Sequence, residues 1–402
     1  MNSLAPAGTS RVLWAVAWAA AAAARAALLW APGHPADLAA FHAWALRLAE
    51  VGPWRFYAPG QFADYLPGYL ALLWPLGFLV HAWPGAAGPL LKAVPASADF
   101  AVAALLWRLG GTRGQAAAAA YLWNPAVLLA GAWWGQAESV SVAWLLGGAV
   151  ALHRGNPGWA GVLFGWAALT KPQYAAAGTL LLLGLVRGRA GLRTLAWSAG
   201  SCALTVTAGG LLFGLSPVGL ARLAVSASTT YPYGSVNALN LWYLTGLNWK
   251  PDTLPVLGVA SSVWGLVLAS VAIAWVAWRV AARGDPAVAA LGASAVCVVV
   301  FAVATRMHER YLFPALPLAL AAWARGYCGA ALWVALSVVL LANLAYGFAY
   351  AASFPQYATP PWPALWPVLS GPASYGAALA TVLLAGWSLY AAASAVRRGR
   401  GC

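Results

Sequence analysis

The sequence predicts an all-α, polytopic membrane protein of about twelve spans with further amphipathic or re-entrant helices near its start. Three observations carry this. The chain of 402 residues is 63% hydrophobic and only 7% charged, a balance that no soluble globular class shows. Apolar runs close to span length recur from one end to the other. Basic residues fall in short loops at alternate ends of those runs, which is the pattern of the positive-inside rule.

The elements follow in order. Arg11 to Trp30 is the first apolar run, and it leads into further spans without a small-residue cleavage site, so it reads as an anchor and not a signal peptide. Asp37 to Glu50 sets Leu38, Phe41, Ala45 and Leu48 at helical spacing. Asp37 stands where an N-cap would stand. Leu66 to Trp83 is apolar enough to span, but it carries Pro67 and Pro75 and runs into Pro84. Counting it as a span would move Arg108 and Arg113 to the other side and invert everything after them. It is therefore read as interfacial or re-entrant, with a true span as the alternative.

The remaining spans are expected at 90–107, 115–132, 138–152, 157–170, 174–186, 194–215, 255–278, 286–304, 311–324, 330–350 and 373–393. Between them lie the basic loops: Arg108 and Arg113; Arg154; Arg187, Arg189 and Arg193; Arg279 and Arg283; Arg325; and the tail Arg397, Arg398 and Arg400. These loops are assigned to the cytoplasm of a cell (plasma) membrane protein, with both termini inside. Residues 1–402 then form one integral-membrane domain, with outer loops at 31–89, 216–254 and 351–372 and a basic tail at 394–402.

The net charge of +14 invites a nucleic-acid reading. It is rejected, because the arginines are dispersed through loops and not gathered in one stripe. The four cysteines form no framework: Cys202 and Cys297 lie within spans, Cys328 in a short loop and Cys402 at the end. There is no Cys/His cluster with zinc spacing and no Walker-type loop, so neither zinc nor ATP is expected.

The unusual polar residues gather in the loops of the other face. Loop one holds His34, Asp37, His42, Asp64 and Tyr65. Later loops hold Trp123-Asn124-Pro125, then Trp133-Trp134-Gly135-Gln136-Ala137-Glu138-Ser139, then Thr170-Lys171-Pro172-Gln173-Tyr174. A long loop carries Tyr231-Pro232-Tyr233 and Asn237 to Trp242. The hairpin Arg306-Met307-His308-Glu309-Arg310 sets four ionisable side chains in a five-residue stretch beside lipid, where charge is expensive and marks a functional site.

Plain readings stand beside these. Lys171 could snorkel at a helix end, and Glu138 could sit at a helix N-terminus favoured by the macrodipole. Trp133 and Trp134 could be belt aromatics. Asn237 and Asn240 could satisfy loop backbone. His308 and Glu309 could pair with each other, and Asp99, inside the second span, could pair with Lys92. Taken together, however, cations and a histidine facing a lipid-filled cleft suit a lipid-linked phosphate or pyrophosphate. Carboxylates with a tryptophan pair suit sugar hydroxyls. Cations can stabilise a departing phosphate and a carboxylate can take a proton from an acceptor hydroxyl. This is glycosyl transfer from a polyprenyl-phosphate sugar, with no cofactor required.

The set Asp64-Tyr65-Leu66-Pro67-Gly68-Tyr69, Trp123-Asn124-Pro125 with Trp134 to Ser139, Lys171-Pro172-Gln173, Tyr231-Pro232-Tyr233 with Asn237 to Trp242, and His308 to Pro314 resembles bacterial members of the GT-C glycosyltransferase superfamily. The nearest group is the proteins similar to GPI mannosyltransferase II. The motifs run in order from about residue 37 to 317, most of the chain.

The resemblance implies an inverting transferase working on the non-cytoplasmic face. It also implies an acidic general base early in the first outer loop, the place Asp37 occupies. The implied donor is a polyprenyl-phosphate hexose, commonly mannose; the acceptor is lipid- or glycan-linked. Relatives differ in metal dependence, and a divalent metal is not predicted here. Many relatives have Asp where Glu138 stands and paired prolines where Leu66-Pro67 stands.

The expected roles are these. Asp37 is the base. Lys171, Arg306, His308 and Arg310 hold the donor phosphate. Asp64, Trp134, Gln136, Glu138, Asn237, Asn240 and Glu309 contact sugar or acceptor. Two readings from other classes remain: a lipid or sugar transporter or flippase without transfer chemistry, which would more often carry midplane charges and repeated halves, and an inactive sensor or assembly subunit on an enzyme fold.

Overall fold

The computed structural model describes residues 8–185, 188–354, 356 and 362–398, and within them the chain is a helical bundle with four two-residue strands. Of the features expected above, Arg187, Arg400, Cys402 and the centre of the 351–372 loop lie outside the described residues.

The helices in order are α1 Gly8–Leu29, α2 Pro35–Val51, α3 Pro67–Ala82, α4 Ala87–Leu109, α5 Gly114–Leu122, α6 Pro125–Leu128, α7 Glu138–His153, α8 Pro157–Thr170, α9 Ala175–Leu185, α10 Gly188–Leu212, α11 Pro217–Thr229, α12 Leu241–Leu244, α13 Ser261–Ala281, α14 Pro286–Val303, α15 Ala315–Ala324, α16 Ala330–Tyr350, α17 Trp366–Leu369 and α18 Pro372–Arg398. A helix lies in each of the twelve segments expected to span. Among the described residues seven stretches, within α1, α10, α13, α14 and α18 and around α4 and α16, are long and apolar enough to cross a membrane. The others are shorter.

Two boundaries move for visible reasons. The segment expected at 255–278 becomes helical only at Ser261, because β2 (Pro255–Val256) and β3 (Val259–Ala260) form a small antiparallel hairpin first. The segment expected at 115–132 is broken. Pro125 has no N–H to continue α5, and Asn124 restarts the helix by accepting from the Ala126 amide at 3.0 Å. The chain then widens into a π-turn, Leu129–Trp134, and leaves it at Gly135 with φ 94°, a left-handed conformation that glycine adopts without strain.

α2 and α3 form a paired unit over the bundle. Phe41, Trp44, Ala45 and Leu48 bury one face of α2. Gly77 of α3 comes so close to α2 that a Cβ there would lie 2.0 Å from the Ala45 carbonyl. Asp37 is not the cap of α2. His34 holds the N-cap position, Pro35 opens the helix, and Asp37 is its third residue. That register turns the carboxylate away from its own backbone.

α7 packs against α8, and Glu138, the first residue of α7, meets Lys171, the residue that follows α8, at 3.0 Å. β1 (Ser235–Val236) pairs in parallel with β4 (Met307–His308), in register Val236 to His308. This short pairing joins the long loop to the charged hairpin.

Asp99 does not pair with Lys92. It meets Arg25 of α1 at 2.9 Å, while the Lys92 ammonium donates to the carbonyls of Leu28 and Ala31 where α1 ends.

Candidate active site

Two cavities share one wall. The first, about 390 Å³, is bordered by Lys171, Arg306, Gln173, Met307 and the α11 residues Ala224, Ala227 and Ser228. The second, about 280 Å³, is bordered by His34, Asp37, Trp134, Asn237, Trp249, Glu309 and Tyr350. Asp64, Tyr65, Tyr231, His308 and Arg310 border both. A third, apolar space of about 190 Å³ lies among α9, α13 and α14 and shares Gln173, Met307 and Tyr311 with the first.

Asp37 is held by one oxygen. Its Oδ2 accepts from Trp134 Nε1 and from Gln136 Nε2, both at 2.7 Å, and His34 Nδ1 lies 3.4 Å from it. Oδ1 has no hydrogen-bond partner among the described residues, and Asp37 borders the second cavity. The π-turn and Gly135 explain this: they swing Trp134 and Gln136 inward together. Burial would raise the Asp37 carboxyl, but Arg310, His34, the Trp134 hydrogen bond and His308 outweigh it and hold it below the ordinary range. It is therefore an anion at neutral pH with a free lone-pair face.

The cations of the first cavity are built differently. Lys171 Nζ lies 3.0 Å from Glu138 Oε1, donates to Tyr65 Oη at 2.9 Å and sits 4.5 Å from that ring's centre. Arg310 donates to Glu309 at 2.6 Å and approaches Glu138 at 3.8 Å. Burial alone would lower the Arg310 guanidinium; Glu309 and Asp37 outweigh it and keep it charged. Each cation thus has a buried carboxylate beside it, which is how charge persists in an apolar bundle. Glu138 serves the cations, and not backbone.

His308 does not pair with Glu309, which belongs to Arg310. Burial and Arg310 push the His308 ring well below its usual range, with Lys171 adding to this and Asp37 opposing it. At neutral pH it is an uncharged imidazole between the cavities, able to donate one N–H. Asp64 sits on the same wall in no ion pair among the described residues. Burial raises its carboxyl, and Arg310 and Lys171 only partly offset that.

Several expected contacts face elsewhere. Arg306 borders the first cavity, but its Nε donates to Asp252 at 2.7 Å and its Nη1 to the Ser228 carbonyl. Its guanidinium ties the long loop to the end of α11. Asn240 is fully enclosed: it caps α12 by accepting from Trp242 and Tyr243, and donates to Phe301 O. Asn237 borders the second cavity but accepts from Trp249 Nε1. Gln136 and Trp134 both donate to Asp37; the Trp134 side chain still borders the second cavity, and Gln136 Oε1 has no hydrogen-bond partner among the described residues. Trp134 also stacks on His34, ring centres 4.9 Å apart.

Residues not assigned to the site from sequence complete the wall: Tyr65, Tyr231, Tyr311, His34 and Trp249. Tyr65, Tyr231 and Tyr311 lie within the motifs that carry the resemblance, whereas His34 stands out in the sequence only as a polar member of loop one. Trp249 carries no local signal; its amide donates to the Ser235 carbonyl and its indole to Asn237. Among the described residues no group of three or more His, Cys, Asp or Glu is arranged to hold a metal ion.

No protein-family model and no curated protein matches this chain.

Proposed function

We propose that this protein is a membrane-embedded inverting glycosyltransferase. It moves a hexose from a polyprenyl-phosphate donor to a lipid- or glycan-linked acceptor. Mannose is the sugar the family resemblance favours. In this reading all twelve helical segments serve as spans, both termini are cytoplasmic, and the cavities open at the outer face of the cell membrane.

The observation that carries the reading is Asp37: an ionised carboxylate with one oxygen fixed and the other free, across a shared wall from buried cations. The donor phosphate occupies the first cavity against Lys171, Arg310 and the His308 N–H, with α11 at its side and the apolar space below it taking the start of the lipid. The acceptor hydroxyl enters the second cavity and donates to Asp37 Oδ1. As it attacks the anomeric carbon, the carbon–phosphate oxygen bond breaks. The hydroxyl proton passes to Asp37, and the phosphate leaves carrying the electron pair. Lys171 and Arg310 stabilise the charge that grows on it. Attack from the face opposite the leaving group turns a β-linked donor into an α-linked product.

Glu138 and Glu309 give this site its logic. Without donor they neutralise the cations. With donor they share them, so the cations stay in place and little reorganises during the reaction.

The test is transfer in proteoliposomes, using polyprenyl-phosphate [14C]mannose and a panel of sugar- and lipid-bearing acceptors. Loss of label from the donor into an α-linked product, at a rate above water hydrolysis, is the expected result. Movement of intact donor between leaflets without cleavage would favour the flippase reading and overturn this one.

A further inference from the structure

Outside the linings of the two cavities lies a second charged assembly that the proposed reaction does not touch. Arg25 of α1 and Asp99 of α4 are 2% and 0% exposed. Arg25 Nε donates to Asp99 Oδ2, and Arg25 Nη2 donates to the Leu122 carbonyl at 3.0 Å, where α5 ends. The Ser139 hydroxyl donates to Asp99 Oδ1, and the Tyr121 hydroxyl lies 3.2 Å from the same oxygen. Asp99 also abuts the π-turn: a Cβ on Gly131 would lie 3.0 Å from Oδ2.

Two of these contacts lead into the site. Ser139 directly follows Glu138, which holds Lys171. Gly131 is three residues before Trp134, which holds Asp37. One enclosed carboxylate therefore supports both the cation side and the base side. Stability does not require this. A buried ion pair replaced by apolar side chains of similar size is often neutral or better, and charge inside a span is costly to insert. A device retained at that cost fits a demand for geometry.

We propose that the Arg25–Asp99 pair, acting through Ser139 and the π-turn, is a positioning element that sets the first turn of α7 and so the register of Glu138 and Lys171 against Asp37. The role rests on the functional reading above, but its first readout does not.

Two variants separate positioning from folding. Arg25→Met/Asp99→Leu removes both charges together, so no unpaired ion is left behind. Ser139→Ala keeps the ion pair and cuts only its link to α7. Hydrogen–deuterium exchange in nanodiscs is expected to show lost protection at residues 138–142 in both variants, with α14 and α16 unchanged and the melting temperature within a few degrees of wild type. In the transfer assay, Ser139→Ala is expected to lower kcat about tenfold with donor KM within about twofold.

Unchanged exchange at 138–142 in Ser139→Ala overturns the proposal, whether or not the wild type transfers sugar. So does a kcat loss that only tracks the fraction of folded protein. A wild type that transfers nothing, with the exchange difference intact, sinks the functional reading and leaves the positioning role standing.

Discussion

The two sides of the shared wall solve opposite electrostatic problems. On one side Asp37 keeps a charge with one face unpartnered. On the other, Lys171 and Arg310 each have a buried carboxylate beside them, Glu138 and Glu309. The base side is oriented by neutral donors, an indole and an amide, and its carboxyl is held low chiefly by Arg310. The cation side is supported by full charges. In the proposed reading the difference matches the partner each side awaits. A group that must accept a proton is left one open lone pair, whereas groups that must receive an anion are held neutral as a set until it comes.

Breaking the base side should have the largest effect. Asp37→Asn keeps the shape and keeps a carbonyl oxygen to accept from Trp134 or Gln136, but cannot take a proton. Transfer should fall by about 10³-fold in kcat with donor KM little changed. Undiminished transfer would remove the base assignment altogether.

The cation side offers a sharper contrast, because two residues bordering one cavity should behave differently. Lys171→Gln removes a charge that, in the proposed reading, meets the phosphate while Glu138 shares it, and should cost about 10²-fold in kcat/KM. Arg306→Gln removes a charge already committed to Asp252 and Ser228, and should cost less than about fivefold, through a looser loop. Equal losses for the two variants, measured side by side in proteoliposomes, would return Arg306 to the phosphate.

That contrast marks where the sequence stops being legible. Apolar runs and alternating basic loops place a helix in every expected segment, since burial in lipid dominates all else there. Lys171-Pro172 is readable too: the proline ends α8 at a corner, and lysine has one place to go. Arg306 is not readable. Four ionisable residues in a row of five look alike, and only the β1–β4 register and Asp252, 54 residues away, decide which guanidinium faces the cavity. Asn240 fails for the same reason, since its cap role depends on where α12 starts. Asp37 is the reverse case. It looks like a cap until the helix is seen to begin at Pro35, which frees its side chain. Arg25, in the first apolar run, carries no signal until Asp99 is found opposite it.

The smallest expected effect on rate is that of pH, and it tests whether the histidine on the wall belongs with the cations. His308 is held below its ordinary value of 6.5, chiefly by burial and then by Arg310. A lowered value means the folded protein takes up no proton there as pH falls through 6.5. Asp37, held below 3.8, stays ionised over the same range. kcat should therefore run level from about pH 8 to about pH 6, and His308→Gln, which keeps an N–H donor, should leave the profile flat. Stability should behave otherwise. The unfolded chain binds protons at ordinary histidine values, while folded His34 and His308 resist them, so their contribution is full above 6.5 and declines as pH drops below it. A melting temperature that sags on acidification while kcat holds is the expected pattern. A step in kcat centred near 6.5 that His308→Gln abolishes would mean that His308 grips the phosphate as a third cation, and the neutral pairing of the wall would no longer describe the site.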